Sequence, residues 1–254
     1  MSEEFFEVTK EQIKSMGGGD GHWLNLAEGT SLIRIMPPWA AGETYVKEVK
    51  IHYGLADLVN YGLEVDQWFS EPCLADTGRC PICALSNKIK SVGTRTEDKD
   101  LLDLHKTIRA KNQYIVSAVN MEDVSEGVRL LRYGKQVNDA IRTLFQRKGN
   151  LTHPETGYNL LITKDPIPGQ SWFKYSVSLD DKCSIMEHWA SFKGQLNNLN
   201  EAIPINDYDA IQGKLDSVEV TPIAGVRAGE SLPSALELPD PAPTDNEKLE
   251  ELFS

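Results

Sequence analysis

The strongest strand prediction in the chain covers residues 109–119, which read Arg109-Ala110-Lys111-Asn112-Gln113-Tyr114-Ile115-Val116-Ser117-Ala118-Val119. Tyrosine, isoleucine and valine favour a pleated, half-buried strand, and neither glycine nor proline interrupts the run. Residues 128–133 have a similar character and are predicted to pair with it. A strand of this length indicates a sheet, and the rest of the chain supplies further strands.

Strand predictions lie on both sides of this pair. Two β regions precede it, at residues 24–36, where a turn is predicted at residues 28–30, and at residues 44–53. A hairpin at residues 158–163 and 171–179 follows it. Helices are predicted between and after the strands, at residues 81–91, 97–106, 135–147, 183–198 and 207–215. The order predicts a mainly β fold with α insertions. An OB-fold-like barrel core fits it, although periodicity alone does not separate this fold from other small β-barrels.

Composition indicates a soluble globular protein of 254 residues, 40% hydrophobic and 25% charged, with no apolar run long enough for a membrane span. The acidic start lacks the pattern of a signal peptide, so we expect a cytoplasmic location. The net charge of −12 hides two opposite regions. Residues 228–254 hold seven acids and one lysine, whereas residues 105–175 hold eleven Lys or Arg and six acids. Local charge, not net charge, attracts a polyanion.

Three of the four cysteines, Cys73, Cys80 and Cys83, fall within eleven residues. In a reducing compartment such clustering favours a metal site over a disulfide. Three thiolates supply most of a tetrahedral site, and His52, at the end of a predicted strand, is the favoured fourth ligand. His105 and Cys183 are rival fourth ligands. The spacing therefore predicts one structural Zn²⁺.

Two catalytic interpretations of the cluster fit the spacing poorly. A zinc deaminase needs a glutamate two residues after its histidine, where this chain has Gly54, and a proline before the first cysteine of the pair, where it has Arg79. A redox pair Cys80-Pro81-Ile82-Cys83 expects a βαβ context and leaves Cys73 without a role. A zinc ion with four protein ligands also has no open position for a substrate.

These features divide the chain into three predicted regions. Residues 1–21 form a flexible leader that ends in glycines. Residues 22–227 form the OB-fold core, with a zinc-binding insertion around residues 52–106. Residues 228–254 form an acidic, proline-punctuated tail with too little apolar content to pack, which we expect to be disordered.

Cations and aromatic residues alternate along several predicted strands, which is typical of a surface for single-stranded nucleic acid. Cations neutralise phosphates, and aromatic faces stack on unpaired bases, which a duplex hides. The ordinary alternative is that the aromatics are core residues and the lysines solvate the surface. The predicted DNA-binding residues are Tyr45, Lys47, Lys50, Tyr53, Arg109, Lys111, Tyr114, Arg132, Tyr133, Lys135, Trp172 and Lys174.

The end of the tail combines acids with apolar residues. Such a segment is suited to a groove on a partner protein, and its carboxylates also compete with DNA for a basic cleft. The alternative is a solubilising tail without a partner. The predicted partner-binding residues are Glu247, Leu249, Glu250, Glu251, Leu252 and Phe253.

Several of these motifs, in the same order, resemble the single-stranded DNA-binding proteins of T-even-type tailed phages. The resemblance covers most of residues 20–200 and the acidic tail. Its motifs are Trp23-Leu24-Asn25-Leu26, residues 28–38, His52-Tyr53-Gly54, Cys73 with Cys80-Pro81-Ile82-Cys83, and Arg132-Tyr133-Gly134-Lys135. Two features differ: the gap between Cys73 and Cys80 is shorter, and the N-terminus carries glutamates instead of a basic arm.

The resemblance implies an OB-fold core, one structural zinc, a basic aromatic cleft for single-stranded DNA, and a tail that recruits replication and recombination proteins. We therefore predict a non-enzymatic protein that coats and protects single-stranded DNA in phage replication, recombination and repair, with low sequence specificity. The alternatives are a zinc-dependent or CxxC redox enzyme and a protein-interaction scaffold.

Overall fold

An antiparallel β-sheet organises the part of the chain that the structure, a computed structural model, describes: residues 23–64, 68–76, 78–169 and 172–220. Within these residues the sheet has seven strands. They are β1 (Gly29–Ile35), β2 (Val46–Tyr53), β3 (Ser70–Pro72), β4 (Lys111–Asn120), β5 (Arg129–Gly134), β6 (Tyr158–Pro166) and β7 (Phe173–Lys182).

Strand β4 is the centre of the sheet, as residues 109–119 predict. It pairs with β2, with β5 and, near its end, with β1, and all three pairings are antiparallel. It begins at Lys111, two residues later than predicted, because Arg109 caps the preceding helix through its N–H to the His105 carbonyl. The predicted partnership with residues 128–133 is confirmed, since Tyr114 lies opposite Tyr133.

The sheet order is β3-β2-β4-β1-β6-β7, with β5 on the side of β4. Within the described residues these pairings leave the sheet open, with β3 and β7 at its two ends. The coarser prediction of a mainly β fold with helices is confirmed, whereas closure into an OB-type barrel is not.

Two helices follow the cysteines, α1 (Pro81–Thr96) and α2 (Lys99–Ile108). Pro81 suits the first turn of α1, and Asp98 caps α2 by accepting from the N–H groups of Asp100 and Leu101. The first helix runs five residues past its predicted end, through Gly93. A Cβ on that glycine would lie 3.0 Å from the Cβ of Leu101, so its absence lets the two helices approach closely.

The remaining helices are α3 (Lys135–Lys148), α4 (Met186–Lys193) and α5 (Tyr208–Leu215), with 3-10 turns at Leu55–Tyr61 and Val124–Glu126. The helix predicted over residues 183–198 is shorter and ends before Gly194. The leader and the acidic tail lie outside the described residues. No helix among the described residues is long and apolar enough to cross a membrane.

Two large hydrophobic clusters support the fold. One lies between the sheet and α3 and includes Val116, Leu131 and Ile141. The other is built by the helices around the cysteines and includes Leu58, Ile89 and Leu104. Each cluster fixes one part of the candidate site described next.

Candidate metal centre and nucleic-acid interface

Four residues from three elements form the candidate metal centre. His52 is the penultimate residue of β2, and Cys73 follows β3, which pairs with β2. Cys80 is the N-cap of α1, and Cys83 lies in its first turn. Their candidate ligand atoms all lie within 4.8 Å of one another, so this group is able to hold a metal ion.

The distances in the centre match a tetrahedral ion. The Nε2 atom of His52 lies 3.4 Å from the Sγ of Cys80 and 3.6 Å from that of Cys83, and the Sγ atoms of Cys73 and Cys83 are 3.5 Å apart. Zinc–sulfur bonds of about 2.3 Å at tetrahedral angles separate sulfur atoms by about 3.8 Å and sulfur from nitrogen by about 3.5 Å. The group therefore accommodates zinc with shifts of a few tenths of an ångström.

His52 is oriented for ligation by its other ring nitrogen. It is fully buried, and its Nδ1–H donates to the carbonyl of Ile108 at 2.7 Å. In the neutral ring that binds a metal, this bond keeps the proton on Nδ1 and turns the Nε2 lone pair toward the sulfur atoms, as outer-shell partners of metal-bound histidines do. The carbonyl comes from the last residue of α2, so that helix positions the ligand.

Hydrogen bonds among His52 and the cysteines shift the pKa values of these groups. Burial lowers the pKa of His52, but hydrogen bonds to Cys73 and Cys80 outweigh it and raise the pKa to about 9. Hydrogen bonds with Cys73 and Cys83 lower the pKa of the Cys80 thiol, whereas those with Cys73 and Cys80 raise the pKa of Cys83. The helix N-terminus at Cys80 also favours negative charge. A metal ion would replace the shared protons as it binds.

Neither rival fourth ligand belongs to the group. The Nδ1 of His105 lies 2.9 Å from the hydroxyl of Ser86, and Cys183 lies beyond β7, where its Sγ contacts the carbonyl of Ser184. His52 is thus the histidine that the fold brings to the three cysteines.

The centre lies beside a hydrophobic cluster that cysteine spacing alone does not predict. Cys80 belongs to this cluster, and Cys73 and Cys83 pack against it. Polar contacts also tie the cysteine loop to β2. The N–H of Cys73 donates to the carbonyl of Lys50, and the Lys50 Nζ lies 2.6 Å from Asp76. These two contacts attach the cysteine loop to the end of β2.

A second set of candidate residues lies on one face of the sheet, which we call the Arg132 face: Lys47, Tyr53, Lys111, Gln113 and Arg132. Lys47 lies opposite Ile115, which lies opposite Arg132. Alternate residues of a strand share a face, so Tyr53 on β2 and Lys111 and Gln113 on β4 belong to it too. The register thus gathers cations from three strands around Ile115 and Leu130, which are themselves buried in a hydrophobic cluster with Leu199.

The guanidinium of Arg132 contacts two aromatic rings on this face. Its Cζ atom lies 5.4 Å from the ring centroid of Trp23 and 5.7 Å from that of Tyr53. Trp23 reaches this position because residues 23–24 run beside β5, where the Leu24 N–H donates to the Leu130 carbonyl. Burial raises the pKa of Tyr53, and the nearby Arg132 partly offsets it. Arg132 thereby links two rings that are suited to base stacking.

A cleft of about 420 Å³ opens beside Trp23. It combines cations, aromatic rings, amides and apolar side chains. Its lining residues are Trp23, Leu24, Asn25, Leu26, Gln113, Arg132, Tyr133, Gly134, Val137, Lys164 and Tyr175. None of these residues is acidic.

Two predicted DNA-binding tyrosines, Tyr114 and Tyr133, lie in the sheet core, and a third, Tyr45, is half-buried and packs against it. Tyr114 and Tyr133 form a pair with ring centroids 6.2 Å apart, and Tyr133 is 4% exposed. Tyr45 stacks on Phe145 at 4.5 Å. Rings covered in this way offer little face on which a base could stack.

The other predicted DNA-binding residues lie at the surface. Lys50 and Lys135 have carboxylate partners, Asp76 and Asp139. Arg109 and Lys174 are exposed, and Trp172 is 59% exposed just before β7 begins.

Sequence reasoning missed several lining residues of the cleft. Neither Gln113 nor Lys164 is among the DNA-binding residues predicted from the sequence. Lys164 donates to the Leu26 carbonyl at 3.1 Å, and its Nζ lies 4.3 Å from the centroid of the Phe173 ring. A lysine near the end of a strand suggests a surface cation. Its contact with the Leu26 carbonyl spans 138 residues, so only the fold places Lys164 in the cleft.

A sheet face that carries cations and aromatic rings, with a Cys₃His group at the end of one of its strands, is typical of nucleic-acid-binding proteins. Residues 27–219 match the family described as "gp32 DNA binding protein like". Because the match covers most of the chain, the protein belongs to this DNA-binding family, and the predicted resemblance is confirmed. A comparison with curated proteins gives no match.

Proposed function

We propose that the protein binds single-stranded DNA through the Arg132 face and the adjoining cleft, with low sequence specificity. The observation that carries the proposal is the Arg132 guanidinium over the rings of Trp23 and Tyr53. The cation neutralises phosphates, and the rings stack on bases. Bases in a duplex are already stacked on each other, so this mixture favours unpaired strands.

The metal centre has a structural role in this proposal, with Zn²⁺ held by His52, Cys73, Cys80 and Cys83. When bound, the ion supplies a fixed tetrahedral junction between β2 and α1. Because four protein ligands complete that junction, the group leaves no position for a substrate. Tyr53 directly follows His52, so the junction also holds one ring of the DNA-binding face.

The wider role follows from the family and from the acidic tail. We propose that the protein coats and protects single strands during DNA replication, recombination and repair in the cytoplasm of a phage-infected host. Its core is proposed to be an OB-type barrel, although the strand pairings described above remain open. Residues Glu247, Leu249, Glu250, Glu251, Leu252 and Phe253 are proposed to recruit replication and recombination proteins.

The experiment that tests binding compares a fluorescent 20-mer as a single strand and as a duplex, by anisotropy with the zinc-loaded full chain. Stacking worth about 1–3 kcal/mol per base predicts a preference for the single strand of at least about tenfold. Equal affinities, or tighter binding of the duplex, would contradict the proposal.

Binding should weaken steeply with salt. Lys47, Lys111, Arg132 and Lys164 have no carboxylate partner within the described residues, and each phosphate contact to a single strand contributes about −0.7 to the slope. We therefore expect the logarithm of the association constant to fall with the logarithm of salt concentration at a slope of about −3. A slope near zero in an anisotropy titration series would exclude a phosphate interface of this kind.

Removing residues 240–254 should tighten DNA binding at low salt. This deletion removes five acids and one lysine, and with them the charges that compete with phosphates for the cations. The gain should vanish at high salt, where screening suppresses that competition. A matched variant keeps the length but changes the five acids to their amides. If neither variant differs from wild type in affinity, the tail does not compete for the face.

A further inference from the structure

We propose that the cleft beside Trp23 holds one unstacked nucleotide of the bound strand, and that Gln113 distinguishes its base. This inference rests on the proposed function and deepens it. A single reading position is compatible with low sequence specificity, because it biases composition without defining a sequence.

The electrostatics of the cleft suit a nucleotide phosphate. Arg132 and Lys164 line it, and none of its lining residues is acidic. Within the described residues, Arg132 contacts only aromatic rings, and Lys164 contacts a carbonyl and a ring. Helix α3 also begins at this edge, with no side-chain cap and no acid in its first turn. Its free N–H groups add to the attraction of the two cations.

The remaining lining suits a base. Trp23 and Tyr175 are half-buried, so each keeps part of its ring exposed, and Leu24, Leu26 and Val137 supply an apolar surface. A cavity of about 420 Å³ lies within the usual size of small-ligand sites. The cleft therefore offers stacking and exclusion of water to a base that leaves its neighbours.

Gln113 is placed to contact the edge of such a base. It is half-buried, lines the cleft, and has no side-chain hydrogen bond within the described residues. Its neighbour on β2 is Val49, whereas its neighbour on β5 is Gly134, which has no side chain to cover it from the side of the cleft. A primary amide offers both donors and an acceptor, and bases differ in the order of these groups along their edges. Within the part of the chain that the structure describes, the Gln113 amide has no other side-chain partner, so it should bind most tightly the base whose donors and acceptors are complementary to its own.

Gly134 keeps the cleft open. Its backbone has φ −85° and ψ −180°, which any residue adopts, so conformation does not require glycine here. A Cβ built on it meets no atom within 4 Å. A larger side chain at this position would thus occupy the space of the cleft without a backbone conflict.

The test measures binding of fluorescent dA, dC, dG-containing and dT 12-mers to the full zinc-loaded chain and two variants. Gly134→Leu should weaken binding of every single strand about tenfold, Gly134→Ala should weaken it less, and both should melt like wild type. Gly213→Leu is the matched control, because a Cβ on that glycine also meets open space.

Gln113→Leu should change the affinity ratios among the oligomers at least about threefold. Self-stacking of each oligomer is the same for all variants. It therefore cancels when the affinity ratios of a variant are divided by those of wild type.

The outcomes separate this inference from the proposed function. If wild type prefers single strands but Gly134→Leu binds like Gly213→Leu and Gln113→Leu leaves the ratios unchanged, the cleft holds no nucleotide and the wider interface stands. If wild type shows no single-strand preference, both proposals fail. If Gly134→Leu lowers the melting temperature, the affinity ratios of Gln113→Leu become the deciding measurement. Unchanged ratios would then overturn the proposal that Gln113 distinguishes the base.

Discussion

Replacing Cys80 with serine is expected to remove the bound metal and to lower the free energy of unfolding by about 4 kcal/mol or more, which is the size of effect that loss of a structural metal produces. For a chain of this length that corresponds to a fall in melting temperature of roughly 8–16 °C. The physical reason is that Cys80 supplies a ligand at the start of α1, so its loss breaks the connection that the metal makes between β2 and that helix.

Cys183→Ser is the matched control, because it makes the same chemical change at a cysteine outside the group. It should keep one zinc per chain and melt close to wild type. Metal content by mass spectrometry and melting by calorimetry measure both effects. A Cys80→Ser protein that keeps one zinc and melts within about 2 °C of wild type would disprove the four-ligand centre.

Replacing Arg132 with lysine is expected to raise the dissociation constant for single-stranded DNA about 5- to 30-fold, equivalent to about 1–2 kcal/mol. Lysine keeps the positive charge but lacks the planar group that contacts both Trp23 and Tyr53. The rings should lose their fixed arrangement, whereas the salt dependence of binding should stay the same, because the number of cations is unchanged.

Arg142→Lys is the matched control for this substitution, since Arg142 is an exposed arginine on α3 outside the Arg132 face. It should bind like wild type. If Arg132→Lys also binds like wild type while Arg132→Ala is weak, Arg132 acts only as a charge, and its contact with the two rings has no part in binding. Anisotropy at several salt concentrations separates these results.

The metal centre was largely predictable because its signal is local. Three cysteines within eleven residues limit the possible geometry, and a histidine at the end of a strand has a fixed direction. The choice of His52 over His105 was less secure in the sequence. It depended on β3 pairing beside β2 and on the Ile108 carbonyl that turns the imidazole, and both contacts join distant parts of the chain.

The strands were predictable from composition, whereas the faces of the strands were only partly so. Tyr114 and Lys111 lie on one strand three residues apart, so alternation places them on opposite sides of the sheet. Sequence alone does not state which side is covered by a helix. Helix α3 covers the side of Tyr114 and Tyr133, which explains why those tyrosines are core residues while Arg132, next to Tyr133, is exposed.

The cleft was the least predictable feature. Its lining comes from residues 23–26, β4, β5, α3, β6 and β7, and no local pattern marks such an assembly. Trp23 belongs to a motif that supported the family resemblance, but its role depends on the parallel contact with Leu130 more than a hundred residues away. Register and long-range pairing, rather than residue type, decide which aromatic rings remain available.

The central claim is that bases of a single strand stack on the Arg132 face. Photocrosslinking of the full chain to a dT 12-mer with one 5-iododeoxyuridine, followed by peptide mass spectrometry, tests it most directly. We predict crosslinks to Trp23 or Tyr53, which lose intensity in Arg132→Lys. Crosslinks confined to exposed aromatics elsewhere, such as Phe69 or Tyr208, would contradict the claim.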